Sequence, residues 1–236
     1  MSELLRIGLA AEGFTDQVLI SAALSSILGD RTFILTPLQP EASAAFSLPG
    51  DAGPFGGGWK GVHKWCRQTA RRAAGHFSGD ILFESYDLLV IHLDADVAFY
   101  QPTSNPSDLE YLDLAQLPCA RPCPPARDTV DALRQVAATW LGETTLPARA
   151  VFCMPSKSTE AWVMAALFPD DAAMILHGEC HADPASRLPQ QQKAVRIRKS
   201  EKDYRSKSQK FRERWPIIAQ THSEANRFQT ELLAAI

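Results

Sequence analysis

Five acidic residues that follow apolar runs are the side chains of this sequence most able to do chemistry. They fall into three groups along the chain: Glu12 with Asp16, Asp94 with Asp96, and Glu160. A carboxylate at the end of a buried strand costs free energy to desolvate unless it is paired or binds a metal ion. In Asp94-Ala95-Asp96 the two acids are two positions apart, so both can point to the same side of the chain. Paired hard oxygen ligands of this kind suit Mg²⁺ or Mn²⁺.

Two of these groups also have a simpler interpretation, which the residues alone leave open. Asp94 and Asp96 could be exposed acids in a turn after a strand. Asp16 could stabilise the start of a helix, because a negative charge near a helix N-terminus interacts favourably with the helix dipole. His92, within an apolar run, is expected to be a core residue rather than a ligand.

Apolar runs that alternate with amphipathic segments show which elements must position these acids. Strands are predicted at residues 4–11, 32–36, 86–93 and 149–154, and helices at 15–28, 61–75, 127–141 and 159–167. This alternation predicts an α/β fold with a mostly parallel sheet flanked by helices. Ligands of such sheets bind beyond the carboxyl ends of the strands. The acid groups follow three of those ends.

Two short motifs resemble the Toprim domain, which topoisomerases, primases and OLD-family nucleases share. AAEGFTD follows the first predicted strand and LLVIHLDAD closes a later one, so Glu12-Gly13 and Asp94-x-Asp96 match the acidic positions of that family. The spacing from Glu12 to Asp16 is similar to the OLD-like branch. The segment PSKSTEAWVMAAL resembles small stand-alone Toprim-like proteins, often encoded beside an ATPase, and this likeness adds Glu160 to the acidic set.

The resemblance implies a Toprim-like, Rossmann-like catalytic domain over residues 1–170, with an insert at about 37–80. It implies a divalent-metal-dependent nuclease that uses two Mg²⁺ or Mn²⁺ ions, held by Glu12, Asp16, Asp94, Asp96 and Glu160. Glu12 is also implied as a general acid or base. A lysine near the scissile phosphate would stabilise developing charge, and Lys157, Lys199 and Lys202 are candidates. A role in bacterial defence against phage or mobile elements, with an ATPase partner, is implied as well.

Charge is distributed unevenly along the chain. The net charge is −3, yet the segment from Lys193 to Arg214 carries +7 and the remainder −10. Residues 171–236 are therefore predicted to form a basic helical C-terminal extension for polyanions. DNA is the favoured partner, bound by Arg196, Arg198, Lys199, Lys202, Arg205, Lys207 and Lys210. The alternative is a solvated helix with an uneven face.

Two other classes of function remain open at this point. The domain could be a non-catalytic module that docks to a protein or nucleic acid, or a metal-dependent hydrolase of small phosphates. Five scattered cysteines argue against a disulfide framework. The chain has no apolar run near 20 residues and no signal-peptide pattern, so we expect a cytoplasmic protein that does not enter a membrane.

Overall fold

The computed structural model describes residues 4–41, 53–101, 103, 116–193 and 195–236. Within these ranges, four apolar segments form one sheet: β1 (Leu5–Ala10), β2 (Phe33–Gln39), β3 (Leu88–His92) and β4 (Ala150–Cys153). The order is β2-β1-β3-β4 and every neighbouring pair is parallel. The prediction of a mostly parallel α/β sheet flanked by helices is therefore confirmed.

Helices follow the strands in the predicted alternation. The described helices are α1 (Phe14–Ile27), α2 (Gly58–Arg72), α3 (Leu82–Ser85), α4 (Arg127–Trp140), α5 (Thr159–Leu167), α6 (Ala172–His177), α7 (Arg187–Gln190), α8 (Glu201–Thr221) and α9 (Ser223–Ala234). The first helix begins at Phe14, directly after Gly13 and one residue before the predicted start at residue 15. It ends as predicted before Gly29, whose φ of +57° is a conformation that glycine adopts without strain.

The segment predicted as an insert, residues 37–80, contains the end of β2 and the predicted second helix. The second strand continues to Gln39, and α2 begins at Gly58, at the end of the glycine-rich run. Most of the intervening loop, residues 42–52, lies outside the described residues, as do 102 and 104–115 of the proline-rich segment.

Alternating side chains of the sheet pack into two cores, one on each face. Leu9 and Val90 face the core formed with α1, α5, α8 and α9, whereas Leu89 and Ile91 face the core formed with α2 and α4. Both faces are thus covered by helices, which explains why the strands are continuous apolar runs.

The predicted C-terminal extension shares the first of these cores. Helix α8 packs against α1, α5 and α9, and its Tyr204, Phe211 and Trp215 are fully buried together with Phe228 of α9. The last two helices therefore cover one face of the sheet, and the basic side chains of α8 lie on the outer surface of the same folded body. No described helix has both the length and the hydropathy that crossing a bilayer requires.

Cys123 and Cys180 form a disulfide, with their Cα atoms 5.6 Å apart. The odd and scattered cysteine count predicts no disulfide framework of the secreted type, and this single bond is not such a framework. The two residues are 57 positions apart, so their approach depends on the fold. The other three are reduced: Cys66 and Cys153 are buried, and Cys119 is half-buried.

Candidate metal centre

The acid groups meet at the point where the sheet reverses its winding direction. Because β1 lies between β2 and β3, the connections that leave β1 and β2 run in opposite directions and open a crevice at the carboxyl ends. Glu12 is the second residue after β1, and Asp94 is the second residue after β3. The loop after β4 leads to Thr159 and Glu160 at the start of α5.

Asp94 connects all three loops. Its backbone N–H donates a hydrogen bond to Glu12 Oε1 at 2.8 Å, and its Oδ1 accepts one from the backbone N–H of Thr159 at 3.1 Å. The loop that contains Glu12 is itself held in place, because the backbone carbonyl oxygen of Glu12 accepts a hydrogen bond from the N–H of Gly58 at 2.8 Å. Residues that are distant along the chain are therefore held together by direct hydrogen bonds.

Asp16 reaches the same place from the first turn of α1. Its Oδ1 accepts a hydrogen bond from Thr159 Oγ1 at 2.6 Å, and both residues are buried. Thr159 thus binds two acids at once, with its hydroxyl on Asp16 and its amide on Asp94. The amide is free to do so because the first N–H groups of a helix have no partner within the helix.

His92 is the residue of this cluster that sequence reasoning missed. Its fully buried ring places Nε2 3.3 Å from Asp94 Oδ1. Asp16, His92 and Asp94 each offer one ligand atom, and these atoms all lie within 4.8 Å of one another. A signal was present in the sequence, because His92 and Asp94 are two positions apart and so can face the same side, as argued for Asp94 and Asp96.

Burial and mutual repulsion shift the ionisation of this cluster. Burial raises the pKa of Glu12 well above its ordinary value, and the Asp94 carboxylate raises it further. Burial likewise raises the pKa of Asp94 to about 7, against the opposing effect of His92. Burial would lower the pKa of His92, but the carboxylates of Asp16, Asp94 and Glu12 outweigh it and raise that pKa to about 9. Without a metal ion, the imidazolium is the charge that balances these acids.

Glu160 lies beside the cluster and is held by the C-terminal segment. Its Oε1 accepts a hydrogen bond from Tyr204 O–H at 3.0 Å and lies 3.0 Å from Lys199 Nζ. Burial opposes ionisation of this residue, yet Lys199, the Ser158 hydroxyl and Tyr204 lower its pKa. Its other oxygen, Oε2, is buried and has no hydrogen-bond partner within the described part of the chain. That oxygen is available to a cation.

Asp96 and Lys157 lie at the outer rim. The backbone N–H of Asp96 donates to the carbonyl oxygen of Lys157 at 3.1 Å, and the Asp96 residue is exposed. Partial burial raises the pKa of Asp96, while Lys199 and Lys157 act in the opposite direction. The ammonium of Lys157 lies 3.7 Å from the centre of the Phe99 ring.

Of the basic residues predicted in the C-terminal segment, Lys199 is the one that the described ion pairs place at the acids. Lys202 is exposed on the first turn of α8 and makes no ion pair among the described residues, so its proposed contact with a scissile phosphate has no support from these contacts. Arg205 pairs with Glu201 of its own helix at 2.6 Å. Of the remaining members of the predicted surface, Lys207 is half-buried, and three are exposed: Arg196, Arg198 and Lys210.

A cavity of about 530 Å³ lies elsewhere, between β2 and α2. Its lining includes Phe55, Trp65 and Arg72, and Arg72 is already paired with Asp80 at 2.7 Å. None of the five predicted acids lines it. The chemistry-bearing residues are therefore at the carboxyl edge of the sheet and not in this cavity.

The residues of the carboxyl edge suit a divalent cation. Buried carboxylates whose ionisation is disfavoured, and an unpartnered oxygen on Glu160, form the kind of donor set that a positive ion stabilises. No family model, no curated protein and no solved structure matches this chain. The geometry of this edge is therefore the basis on which a function can be assigned.

Proposed function

We propose that the protein is a divalent-metal-dependent phosphodiesterase that cleaves nucleic acid, with a Toprim-like fold. One observation carries the proposal: ligand atoms of Asp16, His92 and Asp94 lie within 4.8 Å of one another at the switch point of the sheet. Glu12 joins them, because its Oε1 accepts a hydrogen bond from the backbone N–H of Asp94. Acids that are distant in sequence and costly to bury have been brought together, which indicates a selected function rather than a requirement of folding.

Asp16 and Asp94 would hold the ion, with Glu12 and Glu160 at its margins. A bound divalent cation would polarise a phosphate oxygen and lower the pKa of a bound water. Imidazole suits transition metals better than Mg²⁺, and the affinity of most sites is higher for Mn²⁺ than for ions such as Mg²⁺ that dehydrate reluctantly. The presence of His92 in the cluster therefore favours Mn²⁺ as the ion that binds more tightly.

The protein's own residues would supply proton transfer and phosphate binding. Glu12 has a pKa raised by burial, so its carboxyl group can hold a proton closer to neutral pH and can act as a general acid or base. Lys199, which pairs with Glu160 and is largely exposed, and Lys157, which lies beside Phe99, are the ammonium groups that would neutralise a phosphate oxygen.

A polymeric substrate is supported by the connection between the acids and α8. Tyr204 and Lys199 both contact Glu160, so the basic segment that contains them begins at the rim of the candidate metal centre. Exposed cations continue from there along α8, at Lys202, Arg205 and Lys210. One small phosphate would not contact so long a surface, whereas a nucleic-acid backbone would.

The test compares plasmid cleavage by the wild type and by Asp94→Asn in Mn²⁺ and in Mg²⁺. The substitution keeps the shape and removes the charge, so we expect at least a roughly 100-fold loss of cleavage. Asp30→Asn is the matched control, because Asp30 is an exposed acid outside the site, and it should cleave at the wild-type rate.

Equal cleavage by the wild type and Asp94→Asn would contradict the assigned site. Wild-type protein that binds Mn²⁺ and DNA but cleaves neither plasmid nor RNA would indicate a docking module instead. Hydrolysis of bis(p-nitrophenyl) phosphate without cleavage of any polymer would indicate a small-phosphate hydrolase.

A further inference from the structure

The Cys123–Cys180 disulfide lies between two segments, each of which contacts a different acid-bearing loop. Cys123 belongs to the chain that leads into α4, and Cys180 ends the short 3-10 turn Gly178–Cys180 after α6. Neither segment belongs to the sheet, so the bond links two peripheral pieces of the fold.

The Cys123 segment is attached to the loop after β3. The backbone N–H groups of Cys119 and Ala120 both donate to the carbonyl oxygen of Ala98, at 2.8 and 3.1 Å. Ala98 lies in the turn Ala95–Phe99, which directly follows Asp94 and contains Asp96. On its other side the segment is held to α4, because Thr129 Oγ1 accepts from Arg121 N–H at 2.9 Å and lies 3.1 Å from the Arg121 carbonyl oxygen.

The Cys180 segment is attached to the loop after β4 through Glu179. The Oε1 atom of Glu179 accepts a hydrogen bond from Ser156 Oγ at 3.1 Å and from the backbone N–H of Glu224 at 3.4 Å. Ser156 is buried and lies three residues before Thr159, which holds Asp16 and Asp94. Glu179 is thus placed to position the loop that supplies Thr159 and Glu160.

We propose that the disulfide and Glu179 act together as a redox-sensitive positioning device for the candidate metal centre. The oxidised pair closes a continuous connection from the loop of Asp96, through Cys123 and Cys180, to the loop of Thr159. Reduction opens this connection and leaves the Glu179–Ser156 hydrogen bond without its covalent support, so the affinity of the site for metal falls. This inference rests on the proposed function, since it concerns the same site.

The switch involves a conventional thiol–disulfide step with an external reductant. With tris(2-carboxyethyl)phosphine, the phosphorus atom attacks one sulfur and the S–S bond breaks. Water then supplies the oxygen of the phosphine oxide and the protons of the two thiols. The phosphine loses two electrons and the cystine gains them. In the cell, a dithiol reductant would deliver the same two electrons and become a disulfide.

The test is calorimetric titration of the full chain with MnCl₂, before and after reduction with the phosphine. We expect the reduced wild type to bind Mn²⁺ about tenfold more weakly, the size of effect typical when a residue that orients a ligand is lost. Cys123→Ser and Cys180→Ser should bind as the reduced wild type does and should not respond to the phosphine. Cys119→Ser is the matched control, since it removes a nearby free thiol and should keep the full response.

A second pair of variants tests the positioning role with the disulfide intact. Glu179→Ala removes the acceptor of the Ser156 hydrogen bond and should weaken Mn²⁺ binding about tenfold. Glu179→Gln keeps an acceptor oxygen in the same place and should restore binding. Circular dichroism of each protein establishes that it is folded, and if a cysteine variant fails to fold, the Glu179 pair decides the matter.

Two outcomes would overturn this proposal, and they can be told apart. Equal Mn²⁺ affinity of oxidised and reduced wild type, or of Glu179→Ala and Glu179→Gln, would reject the positioning device and leave the metal centre in place. Absence of Mn²⁺ binding by every form would reject the proposed function and this inference with it.

Discussion

The acid cluster and the basic surface of α8 differ in how their charges are arranged. Asp16 and Asp94 are buried, and each is hydrogen-bonded to Thr159. Lys202 and Lys210 are exposed along a helix, where water and salt screen their charges. Charges interact far more strongly inside a protein than at its surface. One substitution in the cluster should therefore weaken metal binding strongly, whereas each substitution on the surface should weaken nucleic-acid binding only slightly.

After Asp94 itself, the largest effect in this comparison is expected at Thr159, which bears no charge. Thr159→Val removes the hydroxyl that binds Asp16 and keeps the backbone amide that binds Asp94. We expect Mn²⁺ affinity, measured by calorimetry, to fall about tenfold, because the hydrogen bond that orients the buried Asp16 carboxylate is lost. Thr159→Ser keeps the hydroxyl and should bind nearly as the wild type does. Equal affinities of these two variants would show that the hydroxyl does not orient Asp16.

The second expected effect is a pH dependence of stability that comes from the cluster and not from the surface. The pKa of Asp94 is raised to about 7, so the folded state favours the protonated acid, and stability falls as pH rises from about 4 to 7. The pKa of His92 is raised to about 9, so its contribution is complete below about 6.5 and is lost as pH rises through 9. The Asp94 shift predicts a Tm of the metal-free protein that declines between about pH 4 and 7, and the His92 shift predicts a further decline between about pH 6.5 and 9.

Thermal melting in EDTA at several pH values checks this prediction. His92→Gln removes the group that titrates near pH 9, so its Tm should be nearly flat between pH 8 and 9. Mn²⁺ should raise the wild-type Tm more at pH 8 than at pH 6, because the ion replaces protons on the carboxylates. A Tm that rises across this range in metal-free protein would contradict the ionisation assigned to the cluster.

The smallest single effects are expected on the surface of α8. Neutralising Lys202, Arg205 or Lys210 to Gln should each weaken DNA binding by roughly two- to threefold at physiological salt, since each removes one screened phosphate contact. The slope of log K against log salt should become shallower by about one for each contact removed. Fluorescence anisotropy at several salt concentrations measures both quantities. Glu213→Gln, on the same helix, should leave the salt slope unchanged or make it steeper.

The elements that carry the acids were largely predictable from sequence, because their signals are local. Four apolar runs marked the four strands, and the predicted helix at 159–167 coincides with α5. Boundaries shifted where a neighbour in space decided them, as at α2, which starts at the glycine whose N–H binds the Glu12 carbonyl oxygen. The parallel orientation of the strands was predictable from the alternation of strands and helices, because parallel strands need a crossover connection.

The candidate site was predictable in part. Glu12, Asp94 and Glu160 were identified because each follows a strand, and position after a strand is visible in a sequence. His92 was missed because a single histidine in an apolar run is also what a core residue looks like. Lys202 was named with Lys199, although the structure brings only Lys199 to Glu160 among the described contacts. Lys199 precedes α8 and Lys202 lies in its first turn, so the two lysines are only three residues apart. Their spacing in the sequence does not show which ammonium group reaches an acid.

By itself the sequence determined the alternation of strands and helices, the acids at three strand ends and the basic character of the C-terminal segment. Tertiary structure alone decided that Thr159 binds Asp16 across 143 positions, that Cys123 meets Cys180, and that α8 covers the face of the sheet next to the acids. The reason is physical: backbone propensity and apolar period act over a few residues, whereas a polar contact between distant residues exists only after the two cores have packed and fixed the distance between its atoms.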